Sequence, residues 1–109
     1  MNYTNKEREE YNEQRKCACE RNGITENQYN WLRRRGQTLH LCYERNCNGE
    51  YASDSQYETI VNPIYKAVEA YVKKLGLEVY FQTDPRGATI YIDKEPLTDS
   101  AYNRGTCIY

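Results

Sequence analysis

The strongest constraint on the fold is a β-hairpin encoded in residues 77–93, LEVYFQTDPRGATIYID. Polar and apolar residues alternate with period 2 along both arms, as they do in strands that bury one face. The predicted inner face is apolar and consists of Val79, Phe81, Ala88, Ile90 and Ile92. The predicted outer face is polar and rich in tyrosine, and it consists of Glu78, Tyr80, Gln82, Thr89, Tyr91 and Asp93.

The segment between the two arms, residues 84–87, has the composition of a type I turn. Asp84 can accept a hydrogen bond and Pro85 presets φ, while Gly87 is able to take the left-handed conformation that closes a bulged hairpin. Arg86 is then held at a rigid tip. The outer face and this tip form a candidate binding surface, which consists of Tyr80, Gln82, Asp84, Arg86, Thr89 and Tyr91.

Two plainer interpretations of this surface remain open. Asp84 can serve the turn alone, because aspartate is common at the first position of such turns. A helix predicted over residues 24–48 can also cover the outer face, since its Trp31, Leu32 and Leu39 need burial somewhere.

Capping boxes predict where three helices begin. They are Thr4 to Glu7, Thr25 to Gln28 and Ser55 to Glu58. The first helix is expected to end at Asn22-Gly23, as a solvated arm or packed on a partner, and the second at Asn48-Gly49. The second helix has an apolar stripe of Leu32, Gly36, Leu39 and Tyr43, in which the glycine indicates close helix approach.

The third helical segment contains a proline. Pro63 predicts either a kink or a fresh start with Asn62 as the cap. After it, a stripe of Tyr65, Val68, Val72 and Leu75 is expected to end in a Schellman motif at Leu75-Gly76-Leu77.

The order of these elements predicts an α+β fold with N-terminal helices packed on a small C-terminal antiparallel sheet. The C-terminal TCIY is expected to supply a short third strand beside the hairpin. We predict a polar N-terminal helix or arm over residues 1–23 and a single α+β domain over residues 24–109.

Charge and hydropathy exclude several classes of function. A net charge of -1, from 15 basic and 16 acidic residues, argues against a generally basic nucleic-acid binder and against an acidic DNA mimic. The sequence has no apolar run that would span a membrane and no signal-peptide pattern, so we expect a cytoplasmic protein with no membrane partner. The aromatic residues are mostly tyrosine, 12 of them, which suits wet interfaces.

The five cysteines and the single histidine do not form a recognisable metal or catalytic pattern. Cys17 and Cys19 point about 200° apart on a helix, and Cys42 and Cys47 diverge likewise, so we predict no zinc site and no cofactor. A pair between Cys42 and Cys17 or Cys19 remains a redox possibility. Since no nucleophile motif or phosphate loop surrounds His40, the sequence predicts a protein that is not an enzyme.

A local cationic patch is the best nucleic-acid signal in the chain. It combines a stacking ring with three consecutive cations, and it consists of Trp31, Arg33, Arg34 and Arg35. Three consecutive helical positions fan over about 200°, so these cations cannot all face one groove. A solvated helix side is the plainer interpretation.

Residues 80–91, with the block YFQTDPRGATIY, resemble a family of short proteins of tailed phages and prophages. The likeness extends over roughly residues 24–109, including ITENQYNWLRRRG. It implies a phage origin and the cytoplasm of an infected bacterial host. It implies no mechanism, but small phage proteins commonly bind and redirect a host or defence component. We therefore expect a non-enzymatic counter-defence inhibitor, anti-CRISPR-like or ligand-sequestering, that binds a host or defence protein or a small nucleotide. The alternative is a nucleic-acid-binding accessory protein of phage replication or transcription, and oligomers are possible in either case.

Overall fold

The computed structural model describes residues 4–45, 57–84, 87–97 and 105–109. Its elements, in chain order, are α1 (Asn5–Asn22), α2 (Glu26–Arg45), one π-helical turn (Tyr57–Val61), α3 (Asn62–Lys74), β1 (Glu78–Asp84), β2 (Gly87–Asp93) and β3 (Thr106–Cys107). The predicted end of the second helix at Asn48-Gly49, Cys47 and the Ser55 end of the third capping box lie outside the described residues. Helices come first and strands last, which confirms the α+β prediction.

Helix α1 begins and ends at the predicted signals. The backbone N–H of Glu7 donates to the Thr4 hydroxyl at 3.1 Å. At the other end Gly23 adopts the left-handed conformation with φ 66°, and the N–H of Ile24 donates to the Cys19 carbonyl at 3.0 Å. These local bonds satisfy backbone groups that a helix leaves unpaired at its ends.

Helix α2 starts with a complete capping box. The N–H of Gln28 donates to the Thr25 hydroxyl at 3.1 Å, and the N–H of Thr25 donates to the Gln28 side chain at 2.8 Å. The predicted stripe is the buried side of this helix, with Leu32 and Leu39 fully inaccessible to solvent.

Gly36 on this stripe marks a close approach, but a strand rather than a helix approaches it. A β-carbon at Gly36 would lie 2.9 Å from the β-carbon of Tyr109 and 3.2 Å from the Ile90 methyl. The absence of a side chain at Gly36 therefore lets α2 pack closely against the sheet.

The segment around Pro63 is helical on both sides of the proline. A π-helical turn leads into α3, and the residue that precedes the helix, Val61, already has right-handed helical torsion angles and makes no side-chain cap. Asn62 is thus the first residue of α3 rather than its cap. The predicted Schellman ending is confirmed, because Leu77 N–H donates to the Val72 carbonyl at 3.0 Å and Gly76 has φ 76°.

The hairpin has the predicted register. Its arms pair from Glu78 opposite Asp93 to Asp84 opposite Gly87, and this pairing places Phe81 opposite Ile90. Pro85 and Arg86 lie outside the described residues. Our expectation of a left-handed Gly87 in a bulged closure was wrong, because this glycine is a paired strand residue without positive φ.

The sheet order is β1-β2-β3, so the C-terminal segment supplies the predicted third strand, antiparallel to β2. Ile108, which follows β3, is almost wholly buried and donates its N–H to the Ile90 carbonyl at 2.8 Å. The helices pack on one face of this sheet. The main core joins Leu32 of α2, Val68 and Val72 of α3, and the inner-face residues Ile90 and Ile92.

Helix α1 packs on α2 and on the β3 edge over a narrow contact. Ala18 joins the core, and the Asn22 amide donates to the Ala18 carbonyl at 2.9 Å and to the Thr106 hydroxyl at 3.1 Å. Beyond this contact most of the helix is exposed, as its lack of apolar residues predicts.

Candidate functional site

The outer face of the sheet carries a row of side chains that crosses all three strands. Tyr80 pairs with Tyr91 between β1 and β2, and Tyr91 pairs with Cys107 between β2 and β3. Directly opposed residues of antiparallel strands lie within side-chain contact distance, so these three form a continuous row. Both tyrosines are half-buried, and Cys107 is exposed.

The next pair along the hairpin extends this surface toward the turn. Gln82 lies opposite Thr89, the former exposed and the latter half-buried. The structure therefore brings together four of the six predicted binding residues on one face. The backbone of Asp84 closes β1, but its side chain and the whole of Arg86 lie outside the described residues.

Helix α2 does not cover this face, because its apolar residues are buried on the other side of the sheet. Leu32 packs in the main core with Ile90, and Leu39 packs in a second cluster with Ala88. Trp31 stacks on Tyr71 of α3, with ring centroids 4.2 Å apart. For the described helix, Glu26–Arg45, the alternative in which residues 24–48 cover the tyrosines is therefore wrong.

Two members of the row, Tyr91 and Cys107, stay protonated over the neutral pH range. Desolvation raises the pKa of the Tyr91 phenol, and the nearby Cys107 thiol raises it further. Although Cys107 is exposed as a whole residue, partial desolvation of its thiol raises its pKa too, and a hydrogen bond with the Tyr109 backbone lowers it by less. Phenols and a thiol that stay protonated can donate as well as accept hydrogen bonds.

One end of the outer face is acidic. Glu78 and Asp93 lie directly opposite each other on neighbouring strands, an arrangement of like charges that costs stability in a sheet. One Asp93 oxygen accepts the Lys94 backbone N–H at 2.7 Å. Among the described residues that alternate onto this face, none is a lysine or an arginine.

His40 has a structural position that the sequence did not predict. Its Nδ1 accepts the Ala88 backbone N–H at 3.1 Å and also lies 3.2 Å from the Ala88 carbonyl oxygen, while its Nε2 lies 3.4 Å from a Glu44 carboxylate oxygen. The imidazole thus bonds to a backbone group at the edge of β2, at a position that the short β3 does not reach.

The same imidazole explains the glycine at the end of the turn. A β-carbon at Gly87 would overlap the His40 ring, so glycine is required there for space rather than for a left-handed backbone. No periodic pattern connects positions 40 and 87, so only the turn chemistry of Gly87 was visible in the sequence.

The three arginines of the predicted nucleic-acid patch diverge. The Arg33 guanidinium donates to the Ile108 carbonyl at 3.0 Å and lies 4.8 Å and 5.3 Å from the Tyr11 and Tyr109 ring centroids. Arg35 lies 4.8 Å from the Trp31 ring centroid, and Arg34 is exposed elsewhere on the helix.

The structure therefore does not gather the patch into one surface. Trp31 already has Tyr71 stacked on it and Arg35 over its ring, so it does not offer a free platform for a base.

A cleft of about 740 Å³ lies between α1 and β3. Its lining includes Cys17, Tyr29, Arg33, Cys107 and Tyr109. The lining contains two cations, Arg21 and Arg33, and the Arg33 guanidinium is already engaged with the Ile108 carbonyl and two aromatic rings. Arg33 is therefore not prepared to bind the phosphate of a nucleotide ligand.

The described cysteines Cys17, Cys19, Cys42 and Cys107 are not joined in disulfides. Within the described part of the chain, no three His, Cys, Asp or Glu side chains are grouped to hold a metal ion. Likewise, no described helix is long and apolar enough to cross a membrane.

Comparison with known proteins adds no relative to this picture. The chain matches no family model, no curated protein and no solved structure.

Proposed function

We propose that this chain is a non-enzymatic binding protein that docks a protein partner on the outer face of its sheet. The observation that carries the proposal is the cross-strand row of Tyr80, Tyr91 and Cys107 on the face opposite the helices. Tyrosine supplies a large contact area at a small cost in side-chain entropy, and it is enriched among residues that dominate interface energies.

The chemistry of this face favours a protein over a nucleic acid. Its described side chains are neutral or acidic, and a phosphate backbone needs cations close to the stacking rings. The Arg33 to Arg35 patch does not compensate, because its cations diverge and Arg33 is engaged within the fold. A partner that presents arginine or lysine beside an apolar centre fits the tyrosines and the Glu78 and Asp93 end best.

The narrower biological role rests on the resemblance of residues 80–91 to small phage proteins. It supports a counter-defence inhibitor that acts in the cytoplasm of an infected bacterium by covering a host or defence protein. A rigid hairpin face suits such a role, because a preorganised surface loses little entropy on binding.

The proposal is tested by comparing tyrosine variants with a matched surface variant. Wild-type protein captures the partner from infected-host lysate, and the affinity of the purified partner is then measured for Tyr91→Ala, Tyr80→Ala and Leu41→Ala. We expect the two tyrosine variants to lose about 1 to 3 kcal/mol of binding free energy with unchanged melting temperatures. Leu41, which is exposed on α2, is expected to have no effect.

Unchanged affinity in both tyrosine variants would exclude the outer face as the site. The nucleic-acid alternative is examined on the same samples with a labelled single-stranded oligonucleotide. Binding that weakens steeply with salt and that is lost in Arg34→Ala would favour that alternative.

A further inference from the structure

Strand β1 lies at an edge of the sheet. In the order β1-β2-β3, its neighbour among the described strands is β2 alone. It is seven residues long, EVYFQTD, and has neither the proline nor the lysine that commonly blunts an edge strand. Among the described residues no second strand pairs with this edge, so its backbone groups can pair with a strand of another chain.

The hydrogen bonds of β2 show which groups of β1 face this edge. Ile90 accepts from Ile108, and Ala88 N–H donates to His40, so both residues direct their backbone groups away from β1. Opposed residues of an antiparallel pair share this direction, and it alternates along the strand. Phe81 and Thr83, which lie opposite Ile90 and Ala88, therefore direct their N–H and C=O groups to the free edge, and so does Val79.

We propose that β1 pairs antiparallel with β1 of a second copy of this chain, around a two-fold axis beside Tyr80. Val79 then lies opposite the partner's Phe81, and the two exchange N–H···O=C bonds. Tyr80 faces the partner's Tyr80. The contact is isologous, as expected for a two-fold dimer.

The side chains favour this register over its neighbours. Val79 and Phe81 are half-buried apolar residues on the inner face, so the register places apolar against apolar. It also places Glu78 opposite the partner's Gln82. In the register centred on Phe81, Glu78 of each chain would lie opposite the partner's Asp84, which places like charges together twice. In a register shifted by one residue, backbone groups that point to the free edge would face residues whose backbone groups point back to β2.

A cleft beside this edge is suited to a symmetric contact. It has a volume of about 630 Å³ and is lined by Tyr43 of α2 and by residues of α3 and β1, among them Lys66, Glu69, Phe81 and Thr83. Lys66 and Glu69 are exposed and carry opposite charges. When such a cleft meets its own copy, the cation of one chain can pair with the anion of the other.

The second copy also extends the outer face. In the resulting six-stranded sheet, Tyr91 and Tyr80 of one chain continue into the partner's Tyr80 and the partner's Tyr91. The dimer itself does not depend on the proposed function, because the backbone groups of Val79 and Phe81 form it whether or not a partner protein binds the outer face. Mass measurements therefore test the dimer separately from partner affinity.

The test is sedimentation of the full chain and of charge variants at the two-fold axis. We expect the wild type to sediment at twice the monomer mass. Tyr80→Lys and Tyr80→Glu should each be folded monomers, since like charges meet at the axis, and an equimolar mixture of the two should recover the dimer mass. Gln82→Lys is the matched control on the same face, and it should stay dimeric because it faces the partner's Glu78.

A monomeric wild type, dimeric Tyr80→Lys or a mixture that stays monomeric would overturn the proposal, and dissociation of Gln82→Lys would overturn its register. Hydrogen exchange of the wild type gives a second measurement if the Tyr80 variants do not fold. The Val79 and Phe81 amides should gain protection with rising protein concentration, and concentration-independent exchange of both would also overturn the dimer.

Discussion

The His40 imidazole lies against the backbone of Gly87 with no room for a β-carbon between them. The contact joins the middle of α2 to the first residue of β2, and it comes with the hydrogen bond from Ala88 N–H to Nδ1 at 3.1 Å. Glycine is selected here by the close approach of a side chain.

Gly87→Ala is expected to reduce the free energy of unfolding by about 1 to 3 kcal/mol, because the added methyl forces the ring out of its place and breaks its bond to Ala88. Denaturant melts of Gly87→Ala, His40→Ala and the double variant provide the check. In the His40→Ala background the glycine substitution should cost far less, since the obstructing ring is gone. Additive losses would show that the two sites are independent.

The two faces of β2 should differ in their effect on stability. Ile90 is fully buried between α2 and α3, so Ile90→Ala is expected to cost about 3 kcal/mol. Thr89, the adjacent residue, faces outward and pairs with Gln82, so Thr89→Ala should cost less than about 1 kcal/mol. Equal losses in thermal melts would mean that the outer face is as tightly packed as the core.

Alkaline pH should destabilise the fold through Tyr29. Desolvation raises the pKa of this buried phenol above its ordinary value of 10.0, and the charge and hydrogen bond of Arg33 lower it by less. Below pH 10.0 the phenol is neutral in both folded and unfolded chains; as pH rises from there, the unfolded chain ionises first. The contribution of Tyr29 to the free energy of unfolding is therefore fully present below that pH, and it is lost as the pH rises through the pKa of the phenol in the folded chain.

Tyr29→Phe removes this ionisation and should make the alkaline decline of the free energy of unfolding shallower. Denaturant melts from neutral pH to above the ordinary tyrosine pKa measure the two slopes. Identical slopes in wild type and variant would show that Tyr29 does not drive the decline.

Most of the features that were predicted correctly from the sequence depend on local patterns. The capping box at Thr25, the Schellman motif at Gly76 and the hairpin register each depend on residues within a few positions or on strict alternation. The inner face was identified correctly for the same reason, because period 2 separates Ile90 from its neighbours.

Contacts between distant parts of the chain were not predicted. His40 and Ala88 are 48 residues apart, and Arg33 and Ile108 are 75 apart. Neither pair produces a periodic pattern in the sequence, because each contact joins one side chain to one backbone group. Such a contact depends on the position of the two residues in the fold. Arg33 consequently looked like part of a cationic patch, whereas it fastens the C-terminal segment to α2.

The predicted division at residue 23 can be tested by truncation. Helix α1 contributes Ala18 to the core, and its Asn22 bonds to Thr106. On its surface Arg15 pairs with Glu26 at 3.1 Å, and the Tyr11 ring lies under the Arg33 guanidinium. Most of its surface is otherwise exposed, and its contribution to the larger core of α2, α3 and the sheet is limited to Ala18 and the partly buried Cys19. A chain that starts at Ile24 should therefore still fold.

We expect this truncated chain to melt cooperatively at a lower temperature, having lost about 2 to 4 kcal/mol, because Ala18 no longer covers its neighbours and Thr106 loses its amide partner. Thr106→Val in the full chain is the matched control, since it removes the Asn22 bond while α1 stays in place; its loss should be about 1 kcal/mol. Circular dichroism melts of both proteins measure the difference. A truncated chain without a cooperative transition would mean that residues 1–23 belong to the folding unit, because the sheet edge at β3 cannot hold its place without helix α1.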